Sequence, residues 1–446
     1  MNPGLVVKLR PAGPWRIGPD SGARNRVDSI YHSDSLYSAV ASAMAQLGSL
    51  DEWLAATARA AAPAVSFGSC FPFLDEIVFV VPPRTVWPPA SPALLAARVR
   101  WKSARFVPLG IVQALLEGRK LEEHRWSVDG LSQCLVPAGR PGPFRIDIRW
   151  NAAVDRLTGS SERHSTACLE FRPGAGLWTV VSFVDEASRD RWLDPVKAAF
   201  RLLADTGFGG RRSRGWGRSE APEFIDGQLP GMILPPPPAV EARPQAAVEP
   251  ASVLPPVEEP PAADSVVIAA VQAAVETSEI AGEPPIEEPP AGEETGIAAG
   301  AAVVDATDIV VPLVVEQPAA VVEEPVVVPP AEAPPAAAPS PQPVTEAPAP
   351  EAVQLHWLLS LFSPAAADAV DWTGGNYSVI TRGGRVESPA GSGDPKKLVQ
   401  MIAEGSVLCG VTAPVGAAPN VAPDGFAHPV FRAGFAVAIP LPRVRS

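Results

Sequence analysis

DPVKAAFRLLADTGFGGRRSRGWGRSE, residues 194–220, joins a helix to an unusual loop. Asp194 is placed as an N-cap and Pro195 at the first helical position, where a missing N–H costs nothing. Val196, Ala199, Phe200 and Leu203 then recur at helical spacing. Beyond the helix stand Gly207, Gly209, Gly210, Gly215 and Gly217, interleaved with Arg211, Arg212, Ser213, Arg214, Trp216 and Arg218. Glycine permits positive φ and lets backbone N–H groups come close to a phosphate. Arginine supplies fork-shaped donors for phosphate oxygens. Tryptophan offers a plane on which an unpaired base can stack. The loop over 205–220 is therefore read as a polyanion-binding element. The plain alternative is a solvated turn between helix and strand. A dinucleotide loop is disfavoured, because its glycines follow a strand and open a helix.

Upstream, LVVKLR (5–10) alternates as a strand does. In HSDSLYSAVASAMAQLG (32–48), Ser33 is the expected cap, Leu36, Val40, Ala43, Met44 and Leu47 share a face, and Gly48 ends the helix. DEWLAATARAAA (51–62) reads as a second helix. SFGSCFPF, IVFVV, FRIDIRW, ACLEFRP and LWTVVSFV read as strands. Near the C-terminus, VQLHWLLSLF (353–362) and HPVFRAGFAVAIP (428–440) are strand-like, and NYSVITRGGRVES (376–388) predicts a hairpin turning at Gly383-Gly384. DPKKLVQMIAEGS (394–406) predicts a helix. Strand–helix–strand–strand–helix–strand is the split βαβ order. The expected class is α+β: two ferredoxin-like (RRM/RAMP) modules with insertions, over 1–229 and 353–446. The first carries the Gly-rich loop and an insertion over 82–145.

Between them, 230–352 is expected to be a disordered acidic linker. Residues 231–350 hold 26 of the 54 prolines, nineteen acids, one base (Arg243) and no aromatic residue. Such a stretch cannot bury enough surface to offset its ordering entropy. Its net charge of −18 hides a chain that is otherwise +5, although the whole stands at −13. Cys70, Cys134, Cys168 and Cys409 have no paired spacing and suit a reducing compartment. His124, His164, His356 and His428 show no ligand spacing, so neither metal nor cofactor is expected. MNPGLVVKLR lacks a signal-peptide core, and no apolar run approaches a membrane span, so a cytoplasmic protein without membrane contact is expected.

The strand, the helix opening HSDSLYSA, the segment WNAAVDRLTG (150–159) and the loop GFGGRRSRGWGR together resemble the RAMP superfamily of CRISPR-associated RNA-binding proteins. SLFSP, NYSVITRGGRV, EGSVL and HPVFRAGFAVAIP sharpen the likeness to the fourth RAMP subunit of type III-A (Csm) effector complexes, the Cas5-like group. The likeness covers roughly residues 4–226 and 353–442; the acidic linker departs from it. The resemblance implies a non-catalytic subunit in antiviral defence that holds the repeat-derived 5′ handle of crRNA. It implies contact with the large polymerase-like subunit on one side and backbone RAMP subunits on the other. It places RNA at loop 207–218 and at His32 and Ser33. It also implies a thumb-like hairpin in 82–118, with Lys102 and Arg105 as its cations. Arg156 would touch RNA or brace the fold. Two nearer rivals are the type III-B equivalent and a metal-independent repeat endonuclease using His32 as base. For the latter no acid partner is found. An RNA-binding module outside CRISPR is a third.

Overall fold

The computed structural model describes residues 2–18, 23–89, 101–235, 353–388 and 391–442. β1 (Asn2–Leu9) buries Leu5, Val7 and Leu9 completely, as its alternation requires. α1 (Ser33–Gln46) and α2 (Leu50–Ala56) follow, then β2 (Val65–Phe67), β3 (Phe71–Leu74) and β4 (Ile77–Val80). The inserted part holds β5 (Val107–Pro108), α3 (Leu109–Leu116), β6 (Trp126–Asp129), β7 (Cys134–Pro137), β8 (Phe144–Val154) and β9 (Ser161–Phe171). β10 (Ala175–Phe183), α4 (Glu186–Thr206) and β11 (Glu223–Leu229) complete the module. The sheet runs β11-β1-β10-β3-β4-β5, with antiparallel pairs throughout. β11-β1-β10-β3 with α1 and α4 is the ferredoxin-like arrangement expected. Leu36, Val40 and Met44 of α1 meet Val196, Phe200 and Leu203 of α4 in one core.

Three local expectations are corrected here. Helix α4 begins at Glu186, not Asp194: Asp185 is the N-cap and accepts the Ser188 N–H at 2.7 Å, and Pro195 lies inside the helix. Trp192, in the added turns, packs edge-on to Trp53 with centroids 5.3 Å apart, and that burial holds the extension. The N-cap of α1 is His32, and Ser33 is the first helical residue. Leu47, placed on the apolar face, is 47% exposed as the C-cap.

The C-terminal module consists of β12 (Gln354–Leu358), β13 (Val370–Asn376), β14 (Val379–Arg382), β15 (Arg385–Ser388), β16 (Gly391–Pro395), β17 (Val399–Ile402), β18 (Val407–Gly410) and β19 (Ala438–Pro440). Its main sheet runs β13-β18-β12-β19. No helix occurs among its described residues. The helix expected over 394–406 is instead β16's end and β17. Leu398, assigned to the inward stripe, is exposed, and β17 pairs antiparallel with β14 from Val379↔Ile402 to Arg382↔Val399. Ladder bonding and the burial of Met401 and Ile402 override the local helical pattern. Gly383-Gly384 is likewise no hairpin turn, since β14 pairs with β17 and β15 with β16.

Residues 1–239 and 346–446 form one compact unit. Trp357, Leu359, Val407, Phe435 and Ile439 belong to the same apolar core as β1 and α1. The Ser69 N–H donates to the Leu359 carbonyl at 2.8 Å, and the Arg84 N–H to the Gly405 carbonyl at 3.0 Å. Of the expected linker, 230–235 belongs to the first module: Ile233 is buried, and Met232 lies against Gly4. The rest, 236–352, lies outside the described residues.

Candidate nucleic-acid interface

The Gly-rich loop is anchored by Phe208, which is buried and stacks on Trp15 at 5.1 Å and 17°. Its backbone closes on itself and on the Pro14–Arg16 segment. Phe208 N–H donates to the Gly217 carbonyl at 2.9 Å, Gly217 N–H to Pro14 at 2.9 Å, and Gly210 N–H to Arg16 at 2.9 Å. Gly217 has φ +80, and a Cβ there would sit 2.0 Å from the Phe208 carbonyl oxygen. Only glycine fits such a crossing. The N–H groups of Gly207 and Gly215 are also taken, by the Leu203 and Arg212 carbonyls. This corrects the sequence reading of Gly207, Gly210, Gly215 and Gly217. They let the loop fold tightly rather than present N–H groups to phosphate. Gly209 serves the same end, since its Cβ would meet the Arg16 carbonyl at 2.4 Å. The positive charge is delivered by side chains.

Those side chains project beside a long ribbon. β8 and β9 pair in unbroken register from Phe144↔Phe171 to Val154↔Ser161. Arg211 reaches the Thr166 hydroxyl at 3.4 Å, and Arg214 donates to the Asn151 side-chain carbonyl. Loop and ribbon therefore share one surface. Among the described residues, Arg211, Arg214 and Arg218 have no carboxylate within ion-pair distance, whereas Arg145 and Arg149 are neutralised by Glu170 and Asp147. Ser213 is exposed and Trp216 half-buried. Arg156 is exposed at the ribbon's tip, beside an Asp155 that caps the turn by accepting the Leu157 N–H and the Thr158 hydroxyl. The ribbon's other face is apolar: Ile146, Ile148, Trp150 and Val154 are all exposed.

Arg16 is a residue of this surface that sequence reasoning missed. It is 8% exposed, and its guanidinium donates to four carbonyls: Ala23, Arg24, Arg26 and Ala167. It has no carboxylate partner among the described residues. Burial, Arg211 and Arg24 all hold its pKa below the ordinary value. A buried cation surrounded by further cations favours an incoming anion. It also fixes the strip carrying Arg24 and Arg26, both exposed, against β9. The only signal in the sequence was the Arg-rich run following Trp15.

The remaining expected contacts lie elsewhere. His32 and Ser33 are 5% and 4% exposed, which corrects their placement on RNA. Ser33 Oγ accepts the Leu361 N–H at 3.0 Å, and so ties α1 to the C-terminal module. His32 Nδ1 lies 2.6 Å from Glu404 Oε1, and Nε2 lies 3.2 Å from Asp28 Oδ2. Burial pulls the imidazole pKa down, but these two carboxylates more than reverse it, raising it to about 9. An imidazolium with both N–H groups donated has no lone pair to take a 2′-OH proton. His32 therefore does not fit the general base of a repeat endonuclease. Arg105 is also in this seam, 3.1 Å from Asp28 Oδ1 and 2.8 Å from Ser29 Oγ. The thumb expected in 82–118 is corrected too. Trp101, Phe106, Val107 and Val112 are buried, Lys102 is exposed beside them, and 90–100 lies outside the described residues. The projecting ribbon is 144–171.

The seam gives a pH dependence. His32 is raised above its unfolded value near 6.5, so its contribution is complete below that pH and is lost as pH rises through about 9. Unfolding free energy should fall by roughly 3 kcal/mol across that window. Denaturant melts from pH 6 to 10 check it, and a His32→Gln variant should flatten the profile.

Residues 351–441 match the family model of the CRISPR Csm4 C-terminal domain. That match covers the C-terminal module only, which is therefore similar to the Csm4 C-terminal domain. A chain from the crystal structure of a Csm3–Csm4 subcomplex of the type III-A CRISPR-Cas interference complex superposes with a TM-score of 0.50 at 11% identity, covering 98% of this chain and 100% of that one. A chain from a Csm1–Csm4 cassette in complex with cA4 covers 99% of this chain and 98% of its own at 14% identity, with a TM-score of 0.44. No curated protein matches by sequence. In this Csm4-like chain, no three His, Cys, Asp or Glu side chains gather as a metal site among the described residues, and all four cysteines are buried and free. No helix of the described residues is long and apolar enough to cross a membrane.

Proposed function

We propose that this Csm4-like protein is the guide-holding subunit of a type III-A Csm effector complex. It binds the repeat-derived 5′ handle of crRNA and performs no chemistry on it. It docks the large polymerase-like subunit on one side and a backbone RAMP subunit on the other. The observation that carries this reading is the set of Arg16, Arg24, Arg211, Arg214 and Arg218, none of which has a carboxylate within ion-pair distance among the described residues. Gathering like charges opposes folding, and a polyphosphate backbone offsets the repulsion. The β8–β9 ribbon, with an exposed Trp150 and Arg156 at its tip, takes the pinching role expected of a thumb. A continuous surface of loop arginines and ribbon suits a single strand better than a duplex, because an unpaired strand can lay its phosphates along the arginines with its bases unstacked.

The test is direct. Purified protein is titrated with a labelled RNA carrying the repeat-derived 5′ end, and against an RNA of scrambled 5′ sequence. Preference for the first supports handle recognition; equal affinity would remove it and leave a general RNA-binding module. Trp216→Ala should weaken handle binding by roughly 1–3 kcal/mol and leave the salt dependence unchanged, since it removes a stacking plane and no charge. Should Trp216 serve only as packing, melting temperature falls instead. Replacing residues 235–348 by a short Gly/Ser segment should leave affinity within about twofold, because that stretch holds one base and no aromatic residue. A large loss would mean the segment builds part of the surface.

A further inference from the structure

A cavity of about 390 Å³ opens where the two modules meet. It is far from empty of chemistry. Ile30, Val81 and Ile380 supply apolar walls, and Asp28 and Glu404 bring carboxylates to its inner end. Arg84 and Arg105 stand at its rim. Arg105 is paired with Asp28, but Arg84 is held only by the Ser378 hydroxyl, at 2.7 Å. No carboxylate lies within ion-pair distance of Arg84 among the described residues.

These groups exclude most occupants. Asp28 and Glu404 are already paired, with His32, Arg105 and Ser69, but a purely apolar ligand would desolvate the Arg84 guanidinium for nothing. A bare phosphate or sulfate would fill a small part of the volume and leave the walls wet. A metal cation or amine would face Arg84 and Arg105. What fits is a molecule with a flat apolar body, N–H donors at its far edge and an anionic group at the near end. The volume lies in the range of small-ligand sites. We infer that this seam cavity binds a single nucleotide unit, with its base between Ile30, Val81 and Ile380 and its phosphate on Arg84. The site is separate from the Gly-rich loop and does not rest on the handle-binding reading. Because both modules line it, occupancy also ties them together.

The probe is adenosine 5′-monophosphate, titrated by calorimetry into the full-length protein. One saturable site is expected. Arg84→Ala should weaken it at least tenfold, and adenosine without phosphate should bind the wild type about as weakly. Ala403→Leu, which projects bulk into the cavity, should abolish binding. If that variant does not fold, the Arg84→Ala and adenosine arms decide alone, since Arg84 is exposed. The triple change Arg211→Ala, Arg212→Ala, Arg214→Ala should leave affinity for the nucleotide unchanged while lowering that for RNA, so the two sites are told apart. A repeat-derived RNA that displaces the nucleotide would show that the unit belongs to the RNA chain; simultaneous binding would assign the cavity to a free nucleotide. No saturable binding at millimolar nucleotide overturns the proposal. So does binding that survives Arg84→Ala or is lost in the loop variant.

Discussion

Asp34→Ala should cost about 3–5 kcal/mol, the largest loss expected from any single change in this chain. Asp34 sits in the first turn of α1, wholly buried, and accepts from Arg382 Nε at 3.1 Å and Nη2 at 3.0 Å. Arg432 donates to its other side and to the Gly383 carbonyl. Burial alone would raise its pKa, but the two guanidiniums hold it down at about 2. One carboxylate thus answers two buried cations, both from the C-terminal module. Such a pairing adds little net stability compared with apolar packing, yet removing one member strands the others without solvent. Asp34→Asn, which keeps the shape and discards the charge, should recover only part of the loss. Chemical denaturation at pH 6 measures both. A cost below about 1 kcal/mol would mean that water reaches the arginines freely.

The combined replacement of Arg211, Arg212 and Arg214 by alanine should flatten the salt dependence of RNA binding. Each phosphate neutralised on a single strand contributes about 0.7 to the log–log slope, so three contribute roughly 2. Between 50 and 200 mM salt, the wild type should lose affinity far more steeply than the variant. Fold stability should hardly change on account of Arg211 and Arg214, since neither has a carboxylate within ion-pair distance among the described residues. Arg211 reaches the Thr166 hydroxyl, and Arg214 reaches the Asn151 side-chain carbonyl. An unchanged slope would make the loop an ordinary solvated turn.

The first module was legible in the sequence because its periodicities are clean. Leu5, Val7 and Leu9 alternate, and Leu36, Val40, Ala43 and Met44 recur at helical spacing, and all are buried. What failed was local punctuation that tertiary contact overrode. Asp194-Pro195 looks like a helix start, yet Trp192 gains more by packing on Trp53 inside a longer helix. DPKKLVQMIAEGS carries the same signal, yet β14 offers a ladder and the segment takes it. The loop's arginines were found because charge beside glycine is visible in one dimension. Arg16, Arg382, Glu404 and Arg432 were not, since a buried ion reveals itself only through its partner. For Glu404 that partner, His32, is 372 positions away in the chain.

The common core of residues 1–239 and 346–446 changes what the intervening stretch can be asked to do. Its two ends are pinned to one body, so it closes a loop rather than spacing two beads. The entropy of closing a chain between two fixed points grows slowly with its length, by about 0.6 kcal/mol per doubling. A change in the length of that stretch is therefore expected to have little effect on the seam between the two modules. The Asp34 and His32 ion clusters join the two sequence-distant parts of this unit, and the covalent connection keeps the smaller part at high local concentration beside them.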